Sequence, residues 1–121
     1  MRILFDHNVD QRFRRYLPPH EIRTTGEMRW HQLSNGILLQ SASAAGFAAM
    51  ICIDKNIEYQ QNLTTIPLPT IILDTPTSAL KSLIPLAPAL LKLLDSPLRN
   101  VLYVIDPAGS VAEVSSPRPK R

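Results

Sequence analysis

The sequence predicts an α/β domain in which a mainly parallel sheet is covered by helices on both faces. Three observations lead there. ILF near the start, FAAMICI at 47–53 and TIIL at 70–73 are apolar throughout and of strand length, as strands buried on both faces are. Segments with helical spacing lie between them. All three runs stop abruptly at an aspartate, Asp6, Asp54 and Asp74, and Asp6 and Asp54 in particular put a carboxylate at the carboxyl end of the first and a later strand. In parallel sheets, ligands bind beyond those ends, near the point where the strand order reverses.

The elements follow in order. RILF at 2–5 is a buried strand, and VDQRFRRYL at 9–17 has Val9, Phe13, Tyr16 and Leu17 near one helical face before Pro18 and Pro19 stop it. HEIRTT at 20–25 alternates as a second strand, and GEMRWHQL at 26–33 is a loop. Ser34 suits a helix N-cap, Leu38, Leu39, Ala42 and Ala45 form an apolar stripe, and Gly46 is the stop. After the strand at 47–53, the polar stretch from 54 to 62 reads as a loop. IPLPTIIL at 66–73 is a strand whose prolines sit at its start, where a missing amide is tolerated. Leu80, Leu83, Ile84, Ala87, Leu90, Leu91 and Leu94 mark a helix that Pro85 and Pro88 should kink or split. NVLYVI at 100–105 and VAEVS at 111–115 flank the turn DPAGS, the pattern of a hairpin.

A chain of 121 residues, 45% hydrophobic and 19% charged, suits one domain with a single core. The expected boundaries are a domain at 1–114 and a disordered basic tail at 115–121. The net charge of +3 resides in that tail, because Arg118, Lys120 and Arg121 account for it. The exception in the body is RFRRY, where Arg12, Arg14 and Arg15 stand beside Phe13 and Tyr16 and could hold phosphates. Cys52, the single cysteine, excludes an internal disulfide and a cysteine-rich zinc site. The longest helical apolar pattern contains two lysines and two prolines, against a membrane span; a soluble cytoplasmic protein is expected.

Two aspartates brought side by side in a desolvated crevice repel, and a hard divalent cation relieves that repulsion. Mg²⁺ and Mn²⁺ take oxygen ligands and keep waters that serve as nucleophiles in phosphodiester hydrolysis. The competing reading is that Asp6 and Asp54 merely make turns or cap helices, as Asn8 and Asp10 also can.

ILFDHN at 3–8, TTGEMRWHQLSNGILLQSA at 24–42, GF at 46–47 and IDKNIEYQQNL at 53–63 together resemble the PIN-like family, long catalogued as a domain of unknown function. The resemblance covers about residues 1 to 95. It implies a three-layer α/β/α sandwich and, in active members, Mg²⁺- or Mn²⁺-dependent ribonuclease activity. Many such proteins are toxins neutralised by a small antitoxin. Carried over, Asp6 and Asp54 are the catalytic metal ligands, and Asn8 a polar neighbour. The departure is at the start of the helix near Ser34, where relatives carry an acid and this chain has Asn35, Gly36 and Ile37. Asn35 can coordinate through its amide oxygen but brings no charge.

Asp74, Glu27 and Glu58 are the candidates to replace the missing acid, Asp74 being otherwise the cap of the helix that follows. Lys55 and Asn56 could touch phosphate. Arg12, Arg15, Tyr59 and Gln60 are the candidate RNA contacts, with Gln61 and Asn62 beside them. Trp30 and His31 could stack on a base or donate a proton, though Trp30 next to Leu33 suits a packing anchor. His7 lacks a second histidine at ligand spacing.

Three functions compete. The first is a ribonuclease toxin with Asp6 and Asp54 holding the ion. The second is a degenerate PIN-like protein that binds RNA or a partner protein without turnover. The third, a phosphoryl-accepting response domain, expects a paired acid after the first strand and a lysine at the end of the last; DHN and VID supply neither. A homodimer through the proline-broken helix at 77–94 is a further expectation.

Overall fold

The apolar runs pair as strands in the computed structural model, which describes residues 1–119. β1 (Arg2–Phe5), β2 (Glu21–Thr24), β3 (Ala49–Cys52), β4 (Thr70–Leu73), β5 (Leu102–Ile105) and β6 (Val111–Val114) form one sheet in the order β2-β1-β3-β4-β5-β6. The first five are parallel to their neighbours, and β6 runs antiparallel to β5 because a short turn joins them. In that turn Asp106 Oδ1 accepts the amides of Ala108 and Ser110, each at 2.9 Å, and Gly109 takes the positive φ of 87°. The strand order reverses between β1 and β3, the two strands that precede Asp6 and Asp54.

Alternation along the strands sorts their side chains onto two faces. Ile3, Phe5, Ile51, Ile71 and Ile105 pack against Phe13, Leu83, Leu90 and Leu94 on one. Leu4, Met50, Cys52, Ile72 and Val104 pack against Leu38, Leu39, Ala42 and Ile57 on the other. Both faces of the sheet are therefore covered, which is compatible with three layers.

α1 (Asn35–Ala44) begins after Ser34 and ends as expected at Gly46. Gly46 takes φ 84°, its amide bonds Ser43 O at 3.1 Å, and Phe47 N–H reaches back to Ala42 O at 3.0 Å, which closes the helix end. The helix expected at 9–17 is instead a 3-10 helix over Gln11–Tyr16. Pro18 disfavours helical geometry at Leu17, leaving too short a segment for a settled α-helix. Asp10 caps it, its carboxylate accepting Arg12 N–H at 2.9 Å.

Pro85 and Pro88 split the long amphipathic stretch into α3 (Leu80–Leu83), a 3-10 turn (Ile84–Leu86) and α4 (Ala87–Leu94). Each proline falls in the first turn of the next piece, where no amide is needed. The polar stretch read as a loop contains one further helical turn, α2 (Ile57–Gln60). Its buried Ile57 fixes it to the sheet. No helix among the described residues is long and apolar enough to cross a membrane.

Candidate functional site at the carboxyl ends of the strands

Asp6 follows β1 directly and is 1% exposed. Its amide continues the ladder to Ile51 O at 2.9 Å. Its Oδ1 accepts the His7 amide at 2.8 Å and lies 3.0 Å from His7 Nδ1. Asp54 stands two residues beyond the end of β3 and is half-buried, with Oδ1 accepting Asn56 N–H at 2.9 Å. Both charges act on Cys52 at the end of β3. Burial first, then Asp6, then Asp54, push its thiol well above the usual thiol range. Because β1 and β3 are parallel neighbours, Asp6 and Asp54 both follow the same carboxyl edge of that strand pair.

The acids weighed as a third ligand are each held by a cation. Asp74 Oδ1 lies 2.6 Å from Lys55 Nζ. It does not cap the following helix, since α3 begins at Leu80 after Ala79; the five intervening residues, Pro76 among them, put the helix start out of its reach. Glu27 binds Arg14 Nη2 at 3.1 Å and Thr24 N–H at 2.9 Å, while its own amide donates to Thr24 Oγ1 at 3.0 Å. Those contacts, the Thr24 amide foremost, hold its carboxyl below the usual range. Glu58, 2% exposed, is clasped by Arg118, whose amide donates at 2.6 Å and whose Nη2 donates at 2.8 Å. Arg118 belongs to the segment expected to be a disordered tail; Lys120 and Arg121 lie outside the described residues. Among the described residues no three His, Cys, Asp or Glu side chains group as a metal-ligand cluster.

The polar candidates divide similarly. Asn35 Nδ2 donates to Gln60 Oε1 at 3.2 Å, which brings the first turn of α1 beside α2 and the Asp54 turn. Ile37, on that same turn, is 57% exposed. Arg12 is held by Asp10, with Nη2 to Oδ2 at 2.7 Å. Arg15, Asn8 and Asn56 are exposed, and Tyr59 is half-buried. Asn62 closes its own turn by accepting Thr64 N–H at 3.0 Å. Trp30 packs edge-on against Phe47 with ring centroids 6.1 Å apart.

Sequence reasoning missed a crevice of about 310 Å³ on the other side of Asp6, between the ends of β1 and β2. Asp6, His7, Thr24, Thr25, Gly26 and His31 are among its walls. Thr25 is fully buried, and its Oγ1 is the one buried side-chain polar atom among the described residues without a hydrogen-bond partner. The abrupt TTG after an alternating strand was the signal available.

Comparison with protein-family models, with curated proteins and with solved structures returned no match.

Proposed function

We propose that the protein is a PIN-like ribonuclease that holds Mg²⁺ or Mn²⁺ between Asp6 and Asp54 and hydrolyses RNA phosphodiester bonds. Its role is that of a toxin restrained by an antitoxin. The observation that supports this reading best is that both strand-end carboxylates follow the carboxyl ends of β1 and β3, the neighbours between which the strand order reverses. Asp6 is buried, and a buried carboxylate is costly unless compensated. The donors are all oxygen, as hard cations prefer, with the amide oxygen of Asn8 close in sequence. An ion bound there supplies an activated water and stabilises charge on the phosphate. Asp6 and Asp54 fix its position, while Arg15 is an exposed cation free to meet the RNA backbone.

A second reading, a degenerate PIN-like protein that binds RNA or a partner protein without turnover, is favoured by one specific arrangement. Asp74, Glu27 and Glu58 are all neutralised by Lys55, Arg14 and Arg118, and the first turn of α1 presents Ile37 in place of an acid. Calorimetric titration with Mn²⁺ and Mg²⁺ on the wild-type chain and Asp6→Asn, with RNA cleavage measured on the same samples, separates the two. Saturable binding and cleavage, both lost in Asp6→Asn, support the nuclease. Binding without cleavage supports the degenerate form, and no binding by the wild type removes the metal site.

A further inference from the structure

We infer that β6 is the interface of a homodimer: two copies pair antiparallel through Val111–Val114 about a two-fold axis at Ala112, which joins their sheets into one. This interface does not depend on the proposed ribonuclease activity. Only the edges of the sheet, β2 and β6, can take a further strand, and the two differ. At β2, Glu21 N–H bonds Met1 O and Thr25 N–H bonds Phe5 O, so by alternation Ile22 and Thr24 turn their backbone groups outward. Both are engaged. Arg14 Nη1 donates to Ile22 O at 3.3 Å, Thr24 N–H donates to Glu27 Oε1 at 2.9 Å, and Arg14 Nη2 holds the same carboxylate oxygen at 3.1 Å. That clamp closes the β2 edge.

The β6 edge has no such cover. Asp106 N–H bonds Ser110 O at 2.9 Å, which sets Ser110, Ala112 and Val114 toward β5. The amides and carbonyls of Val111 and Glu113 therefore face outward, without a partner among the described residues. Val111, Ala112 and Glu113 are all exposed, and the strand has neither lysine nor proline, the usual guards of an open edge.

The chemistry around this edge selects a second copy. With Ala112 on the axis, Val111 faces Glu113 of the second copy and the two exchange both backbone hydrogen bonds, so every outward group of both strands is used. An axis at Glu113 would instead set two carboxylates opposite each other. Residues directly opposite share a face of the sheet, so Glu113 of the second copy comes up beside Val111 on the side of α4. There Ala89, Lys92 and Leu93, on one face of α4, line a hollow of about 450 Å³ together with Val111. Lys92 is exposed and makes no hydrogen bond or ion pair among the described residues. Glu113 has an oxygen to offer, since Arg99 of its own chain bonds Oε2 and leaves Oε1 free. The axis repeats this Lys92–Glu113 pair on both sides, as a self-complementary patch requires. A strand of four residues makes a small contact, so the dimer is weak and forms at high protein concentration.

The test is sedimentation velocity on the full chain from micromolar to millimolar concentration, with wild type, Val111→Pro and Lys92→Glu. Val111→Pro removes an outward amide and leaves the ladder to β5 whole; with its circular dichroism unchanged, it should abolish the dimer. Lys92→Glu should raise the dissociation constant roughly fivefold, and adding Glu113→Lys should recover most of that loss. Ala112→Cys reads the register. Opposite Cα atoms at such a position lie about 4.5 Å apart, within disulfide reach, so mild oxidation should cross-link this variant far faster than Ser110→Cys. Cys52 is buried and stays out of the reaction. A chain that remains monomeric at millimolar concentration overturns the interface. So does a dimer that folded Val111→Pro leaves intact, which would assign the contact to another surface. Equal cross-linking of Ala112→Cys and Ser110→Cys also overturns it, and this readout decides if Val111→Pro fails to fold.

Discussion

Arg118 and Glu58, 60 residues apart in the chain, form one of the most buried ion pairs described here: a carboxylate 2% exposed receives the amide, Nε and Nη2 of a single arginine. The pair ties Arg118, in the segment after β6, to α2, immediately after the Asp54 turn. Because Arg118 is half exposed, solvent screens part of the attraction. Arg118→Ala should therefore destabilise by about 1–2 kcal/mol, below the range for a wholly buried pair.

The same pair should make stability depend on acid. Arg118 holds the Glu58 carboxyl below its usual range, so its folded pKa lies under the unfolded one. The contribution is fully present above about pH 4.3 and is lost as pH falls through the folded value. Thermal melts of wild type and Arg118→Ala should differ at pH 7, and the gap should shrink as the pH falls through the acidic range. A gap that stays the same size in acid would assign the effect to packing of the arginine stem instead.

Asp10 provides a smaller titration at the surface. The Arg12 side chain first, and its amide second, lower the Asp10 carboxyl from 3.8 to about 2. With a depressed folded pKa, any stabilisation is complete above the unfolded value and fades as pH falls through about 2. Carboxyl NMR titration should show this midpoint, and Arg12→Ala should return it toward 3.8. Added salt should do part of the same, because the pair is exposed.

Lys55 follows Asp54 but its ammonium is held 2.6 Å from Asp74. If RNA runs over the sheet edge, Asp74→Asn should release that cation to the backbone. Affinity for a single-stranded RNA should rise, and the slope of log affinity against log salt should steepen by about 0.7, one added phosphate contact. An unchanged slope would place the RNA path away from Lys55.

The strand-end aspartates were legible because nothing but backbone pairing extends the apolar runs that precede them. Gly46 and the prolines were equally readable, since their effects are local. The helical turn at Ile57–Gln60 was hidden by its composition: one buried isoleucine among polar residues has no apolar period. The fates of Asp74, Glu27 and Glu58 were hidden for another reason. Their cations come from Lys55, Arg14 and Arg118, and the last of these is brought in only by the completed sheet. The crevice at Thr25 likewise exists only once β2 lies beside β1. Beyond that turn, what the chain concealed was chiefly pairwise chemistry across the fold.

Ile37 offers the sharpest test of whether a missing charge limits the site. It stands in the first turn of α1, where a carboxylate also meets the positive end of the helix. Asn35 on the same turn bonds Gln60, so this turn is tied to the helix that follows Asp54. At 57% exposure, Ile37 contributes little to the core, and Ile37→Glu should alter stability by no more than about 0.5 kcal/mol. If Asp6 and Asp54 hold a metal ion as proposed and this turn borders it, a third carboxylate there should raise Mn²⁺ affinity at least about tenfold, because hard-cation sites are tuned by ligand charge. RNA cleavage should rise with it, and Asp6→Asn in the same background should abolish both gains. Higher Mn²⁺ affinity without cleavage would show that a third carboxylate alone does not make the site cleave RNA. Unchanged affinity would place the first turn of α1 outside the metal site and leave Asp6 and Asp54 without a third partner there.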